Sequence, residues 1–276
     1  MMKKLYIIIA DSIRAFSYDK CLTMAAAISF YALFSLLPLM FLLFSSIGFI
    51  LGTETWLFDR ILEFVKESLP YLSDSIVEDV RGLIVNRRVF GWLGIILLIW
   101  SAEFVILAIK DAMNHIFGET QKLGFIKTRL LVWVVFLIWC AVFLISIGLP
   151  VAAEILSRFK IVALGIDISY YLAKSITFKY FLPIIIMIIA VAFIFKIMAG
   201  KNIKARHAIL GSVIFSVLWE AAKHLFALYL THFGSFNRMY GSLGAIMIML
   251  LWIFYSAVIL LFSAEFVASV KTPRKY

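Results

Sequence analysis

The chain has 276 residues, 64% of them hydrophobic and 15% charged, with a formal net charge of +10. Soluble domains run at about 45–50% apolar and about 25% charged residues, so a soluble globule is excluded and lipid is the solvent for most of this chain. The basic residues are scattered beside apolar runs, without the Lys/Arg stripe and interleaved aromatics of a nucleic-acid groove, and no nucleic-acid partner is expected.

At the amino end, Lys3 and Lys4 precede only a short apolar run, Leu5 to Ala10, before Asp11. No small-residue cleavage site follows, so this is not read as a removable signal. Crossing a bilayer takes roughly 20 mainly apolar residues. The first such run covers 22–51. Pro38 removes a backbone donor inside it and predicts a kink. Ala25, Ser29 and Ala32 are small residues at helical spacing, which let neighbouring backbones approach.

The stretch 53–89 is the sizeable polar part of the chain. Leu57, Ile61, Phe64 and Val65 share one helical face, and Pro70 ends that segment. Ser75-Ile-Val-Glu78 then reads as a capping box, with Ile76, Val77, Val80, Leu83 and Ile84 on one stripe. Two short amphipathic helices are expected over the outer face of the bundle. Their apolar faces either pack on the span ends or dock a partner, with packing the simpler use.

Five further spans follow, over 90–109, 130–153, 180–195, 208–230 and 240–270. The stretch 154–179 between the third and fourth holds IVALGIDISYYLA, too short to span and suited to the interface. With both termini in the cytoplasm, the inner segments carry about twice the Lys and Arg density of the outer ones, which sets the orientation. The whole chain reads as one all-α integral-membrane domain, 1–276. Anionic lipid headgroups at the cytoplasmic face are the partners that its basic anchors suit.

Cys21 and Cys140 stand far apart and read as small apolar fillers. The four histidines show no ligand spacing, so no metal, cofactor or catalytic site is expected.

Two stretches spell Ser-Ala-Glu-Phe-Val, around Glu103 and around Glu265. Glu103 falls about 20 Å into its span by helix rise, deep in a layer of about 30 Å. Glu265 sits shortly before Lys271 and is expected near the interface, within reach of water or a nearby basic side chain. A mid-membrane charge costs about 2.5–3.5 kcal/mol unless paired or hydrated, so Glu103 needs a partner. The fifth span offers one. Glu220, Lys223 and His224 lie three and four apart, and Ser212, Ser216, Ala227 and Thr231 extend the same face. This stripe should point into the bundle. It is either a structural ion pair, Glu103–Lys223 or Glu220–Lys223, or the lining of a polar cavity, and the cavity is the sharper expectation. Gly241, Gly244 and Ala245 in the last span are further close-packing positions.

Taken in order, AAAISFYALFSLLP, WSA…AMNHIFG, LWEAAKHLFALYL and YGSLGAIMIMLLWIFYSAVILLFSAEF resemble the YihY/BrkB family of bacterial inner-membrane proteins, also labelled ribonuclease BN-like. Trp219, Glu220, Lys223, Tyr229, Tyr240 and Gly241 match the family pattern. Ser263 stands where a glycine commonly precedes the last Ala-Glu, and the position of Glu103 often holds another residue. The resemblance implies about six spans, the bacterial inner membrane, and a link in some members to envelope integrity or resistance to serum killing. A nuclease needs metal-binding carboxylates or histidines in an RNA-accessible site, and Asp11, Asp19, Asp111, Glu119, His115 and His207 form no such set. The expectation is a non-enzymatic transporter or translocator of an amphiphilic, lipid-like envelope component. The alternative is a non-catalytic envelope scaffold or assembly factor. A homo-oligomer or an envelope protein partner fits either.

Overall fold

The computed structural model describes residues 2–51, 82–118, 130, 133–134, 137, 162–163, 166–167, 182–198, 203–232 and 242–271. In chain order the helices are α1 (Met2–Tyr18), α2 (Cys21–Phe34), α3 (Leu36–Leu51), α4 (Arg87–Phe117), α5 (Leu182–Met198), α6 (Ala205–His232) and α7 (Ser242–Lys271). Between α4 and α5, β1 (Val162–Ala163) and β2 (Ile166–Asp167) pair antiparallel, Val162 opposite Asp167 and Ala163 opposite Ile166. This short ladder falls in the stretch expected at the interface. The architecture is that of an all-α polytopic membrane protein.

Among the described residues, four helical stretches are long and apolar enough to cross a membrane: Cys21–Phe49, Arg87–Phe117, Ala205–Leu230 and Ile246–Lys271. They correspond to the first, second, fifth and sixth expected spans. The fourth is a shorter apolar helix, Ile184–Met198. The third lies outside the described residues except for Leu130, Trp133, Val134 and Leu137, which are helical. The two amphipathic helices of the 53–89 stretch also lie outside them, apart from 82–89, which is helical around a turn at Asn86. Much of the apolar surface is uncovered. Trp92, Ile96, Val217, Leu225 and Met247 are all exposed, as side chains solvated by acyl tails would be.

The first span is broken at Ser35, three residues before Pro38. Proline cannot donate to the carbonyl of residue 34 and its ring crowds that carbonyl, so the ladder fails there. Pro38 itself sits in the first turn of α3, where its missing N–H is tolerated. Ser35 bridges the gap: its N–H reaches both Tyr31 and Ala32 carbonyls at 3.1 Å, and its Oγ donates to Ala32 at 2.6 Å. At the α1–α2 corner Lys20 takes φ 53°, and at the end of α4 Gly118 takes φ 65°, the left-handed cap that stops a helix.

Two compact units emerge, Phe30–Val105 and Met1–Ser29 with Ile106–Tyr276. In the first, α3 and α4 meet almost backbone to backbone. A Cβ on Gly91 would stand 2.5 Å from Ser45 Oγ, one on Gly94 3.0 Å from Leu42 Cγ, and one on Gly48 2.8 Å from the Ile84 carbonyl. Ser45 uses this closeness, donating to the Arg87 carbonyl at 2.6 Å. In the second, α5 and α6 form a helical hairpin, α6 packs on α7, and α1 packs on α7. Lys196 Nζ donates to the Ile203 carbonyl at 2.6 Å, where a cation in the last turn of α5 also suits the helix dipole. Gly211 marks the tightest point: a Cβ there would lie 2.7 Å from Val267 and 2.8 Å from Phe195. Around it lies a core of Phe195, Met113, Ile116, Ile203, Leu261 and Val267, filled in by Cys21, Ala25, Ala208 and Ala264.

Candidate functional site

The polar stripe of α6 runs along the margin of that helix's packed face. Its first half faces inward, since Ser212 and Ser216 are buried. Each hydroxyl is used within the helix, Ser212 Oγ donating to the Ile209 carbonyl and Ser216 Oγ to the Ser212 carbonyl, both at 2.8 Å. Such back-bonding removes the cost of a buried hydroxyl, and the small side chains let α5 and α7 approach.

Farther along, the stripe leaves the packed face. Lys223 Nζ sits 2.6 Å from Glu220 Oε2, with the two side chains 47% and 39% exposed. His224 Nε2 lies 3.8 Å from the other oxygen, Oε1, and its ring is 79% exposed. One carboxylate thus faces two basic groups, one on each oxygen. Glu220 stands about 22 Å along a candidate span of about 39 Å by helix rise, near the middle of its length, with Lys223 and His224 about one turn farther on. Thr231 is within α6, and its side chain lies outside the described residues.

Beside the charges runs an aromatic wall. Trp219 and Trp252 pack with centroids 5.1 Å apart, Phe226 and Trp252 at 4.7 Å, and Phe215 stacks on Trp219 at 5.6 Å. Spacings of four and seven residues along α6 place Phe215, Trp219 and Phe226 on the side facing α7. That spacing was a readable signal.

Glu103 belongs to the other compact unit, Phe30–Val105, whereas Glu220 and Lys223 belong to the unit containing α6. It is half-buried on α4. Its chain neighbour Phe104 stacks on Tyr31 at 5.6 Å and meets Trp100 edge-on at 5.6 Å.

The deeply buried carboxylates are elsewhere. Glu265 is fully buried rather than open to water as its sequence position suggested, and Cys21 Sγ donates to its Oε1 at 3.5 Å. Asp19 is also buried, with Oδ1 3.8 Å from His115 Nε2, and Lys110 on α4 is buried too. The start of α2 reaches the end of α7 through the Cys21 contact, so Glu265 is covered by a segment that its position along one helix does not reveal. Among the expected packing residues, Ala25, Ser29, Pro38 and Gly244 are buried and Ala32 is half-buried. Ser29 Oγ donates to the Ala25 carbonyl at 2.6 Å. Gly241 and the side chain of Ala245 lie outside the described residues.

A family model described as "Virulence factor BrkB" matches residues 12–276. A UPF0761 membrane protein of Pseudomonas aeruginosa is 27% identical over 260 residues, covering 94% of this chain and 61% of its own. One from Azotobacter vinelandii is 26% identical over 253 residues, covering 91% of this chain and 60% of its own. A Bacillus subtilis protein, YfkH, described as ribonuclease-like, is 25% identical over 256 residues, covering 91% of this chain and 90% of its own. The chain spans about three fifths of the length of the Pseudomonas and Azotobacter relatives it matches. No solved structure matches.

Proposed function

This chain belongs to the BrkB family of membrane proteins, and from that premise we propose that it is a transporter or translocator of an amphiphilic, lipid-like envelope component, working in the bacterial inner membrane. The Glu220–Lys223 pair carries the reading. It is accessible, yet it stands at a depth where a charge facing acyl tails costs about 2.5–3.5 kcal/mol. A hydrated groove along this edge of α6 removes that cost. In such a groove Lys223 attracts an anionic headgroup, Glu220 holds the lysine in place, and the wall of Trp219, Phe226 and Trp252 offers apolar surface to the tail.

The test is a dithionite assay on protein reconstituted in vesicles carrying a fluorescent phosphatidylglycerol. Lys223→Leu and Glu220→Leu, each checked by gel filtration for intact fold, should abolish movement of the probe between leaflets. Unchanged movement would remove this mechanism. The scaffold alternative places the phenotype in the 53–89 stretch, so deleting that stretch with the spans kept should then remove all function, while the two leucine variants stay active.

A further inference from the structure

We propose that α1 is a lipid-docking helix, lying on the membrane surface and selective for anionic headgroups. The helix has three sectors. One is buried: Ser12, Ala15 and Asp19, flanked by Ile8 and Phe16, recur at helical spacing. Phe16 meets Phe262 of α7 at 6.0 Å, and the small Ser12 and Ala15 allow that close approach. Ser12 Oγ is spent on the Ile8 carbonyl at 2.6 Å. α1 is therefore anchored on α7 by a face that leaves its larger apolar side chains outside.

The second sector holds those side chains. Tyr6, Ile9 and Ile13 are exposed and share one side of the helix. In water this would be a cost without return. The third sector carries exposed Arg14, with exposed Ile7 and Tyr18 on the same side; Ser17 is exposed at the boundary with the apolar sector, Lys20 follows in the turn, and Lys3 and Lys4 are in the helix's first turn. The acidic residues do not cancel this, since Asp19 is buried against His115 and only Asp11, half-buried, remains on α1.

α1 leads through the Lys20 turn directly into the span Cys21–Phe49, so it sits at that span's edge. Within the same unit the Cys21–Glu265 contact brings the start of α2 to the end of α7, and Lys204, Arg206 and Lys271 act electrostatically on His207 at the start of α6. Basic residues from α1, α6 and α7 thus gather at one set of helix ends. A helix of moderate length with an apolar sector beside a basic one lies in the headgroup region, and each Lys or Arg near an anionic surface adds to the attraction. Its charges forbid it from spanning.

The experiment uses the full chain in lipid nanodiscs containing phosphatidylglycerol, with nitroxides at Ile9→Cys, Ile13→Cys, Arg14→Cys and Ser17→Cys in a background lacking Cys21 and Cys140. Labels at 9 and 13 should collide with oxygen and be shielded from a water-soluble nickel chelate, and a label at 14 should show the reverse, with 17, at the boundary of the two sectors, intermediate. Nickel access at all four positions would overturn docking. Shielding of 9 and 13 from both reagents would overturn it too, in favour of coverage by protein such as a second copy. For the headgroup preference, the shielding at 13 should be lost on changing to phosphatidylcholine, and equally on Lys3→Gln, Lys4→Gln and Lys20→Gln together. Identical shielding in both lipids would overturn the anionic selectivity.

Discussion

The thiol of Cys21 donates to Oε1 of Glu265 across 3.5 Å, joining residues 244 positions apart and leaving both fully buried. The contact ties the start of α2 to the last turns of α7. Cys21→Val keeps most of the volume and removes the donor, so a buried acceptor loses a bond. The expected loss of stability is about 1–3 kcal/mol, toward the low end because a thiol is a weak donor. Cys21→Ser restores a donor and should recover most of it. Thermal unfolding in detergent, followed by the loss of helical circular dichroism, measures both.

The same contact places the beginning of one span beside the end of another, so the two termini should share a side of the membrane. The Lys and Arg distribution predicts that this side is the cytoplasm. Fluorescent-protein fusions at either end should glow, and alkaline phosphatase fusions after Lys271 should be inactive. An active phosphatase would reverse the orientation.

Gly211 sits where α5, α6 and α7 converge, and a single methyl there would meet Val267 and Phe195 below 3.0 Å. Gly211→Ala should destabilise by about 1–3 kcal/mol despite alanine's better helix propensity. Gly82→Ala is the control, because nothing lies within 4 Å of its added Cβ. Combining Gly211→Ala with Val267→Ala should cost less than the two changes summed, since the second makes room for the first.

Glu220 and Lys223 are one turn apart and paired at 2.6 Å. Exchanging them, Glu220→Lys with Lys223→Glu, keeps the pair and moves the cation about one turn along α6. Either single change leaves two like charges facing each other within a candidate span and should lower yield in the membrane. The exchange should restore yield while leaving leaflet transfer of the fluorescent phosphatidylglycerol impaired. Full recovery of transfer would mean that the pair serves packing alone.

Purified protein incubated with RNA and magnesium or manganese should leave the RNA intact. Cleavage abolished by a chelator, and following the protein through gel filtration, would place an enzyme where we propose a translocator.

Much was legible from residue order. Composition required lipid as the solvent, runs of roughly 20 apolar residues located the long helices, and a spacing of three and four set Glu220, Lys223 and His224 together. Those properties are local: each depends on one helix and its solvent. Tertiary structure decided which side chains are covered. Ser212 and Ser216 share the stripe with Lys223 but are buried, because α6 meets α5 and α7 along only part of its length. α1 escaped notice because its buried face is made of Ser12 and Ala15, small residues that hydrophobic patterning does not register. Glu265 is sealed by Cys21, a residue at the far end of the chain. Hydropathy is a property of a segment in its solvent, whereas burial depends on which other segment arrives, and that was settled only when the helices packed.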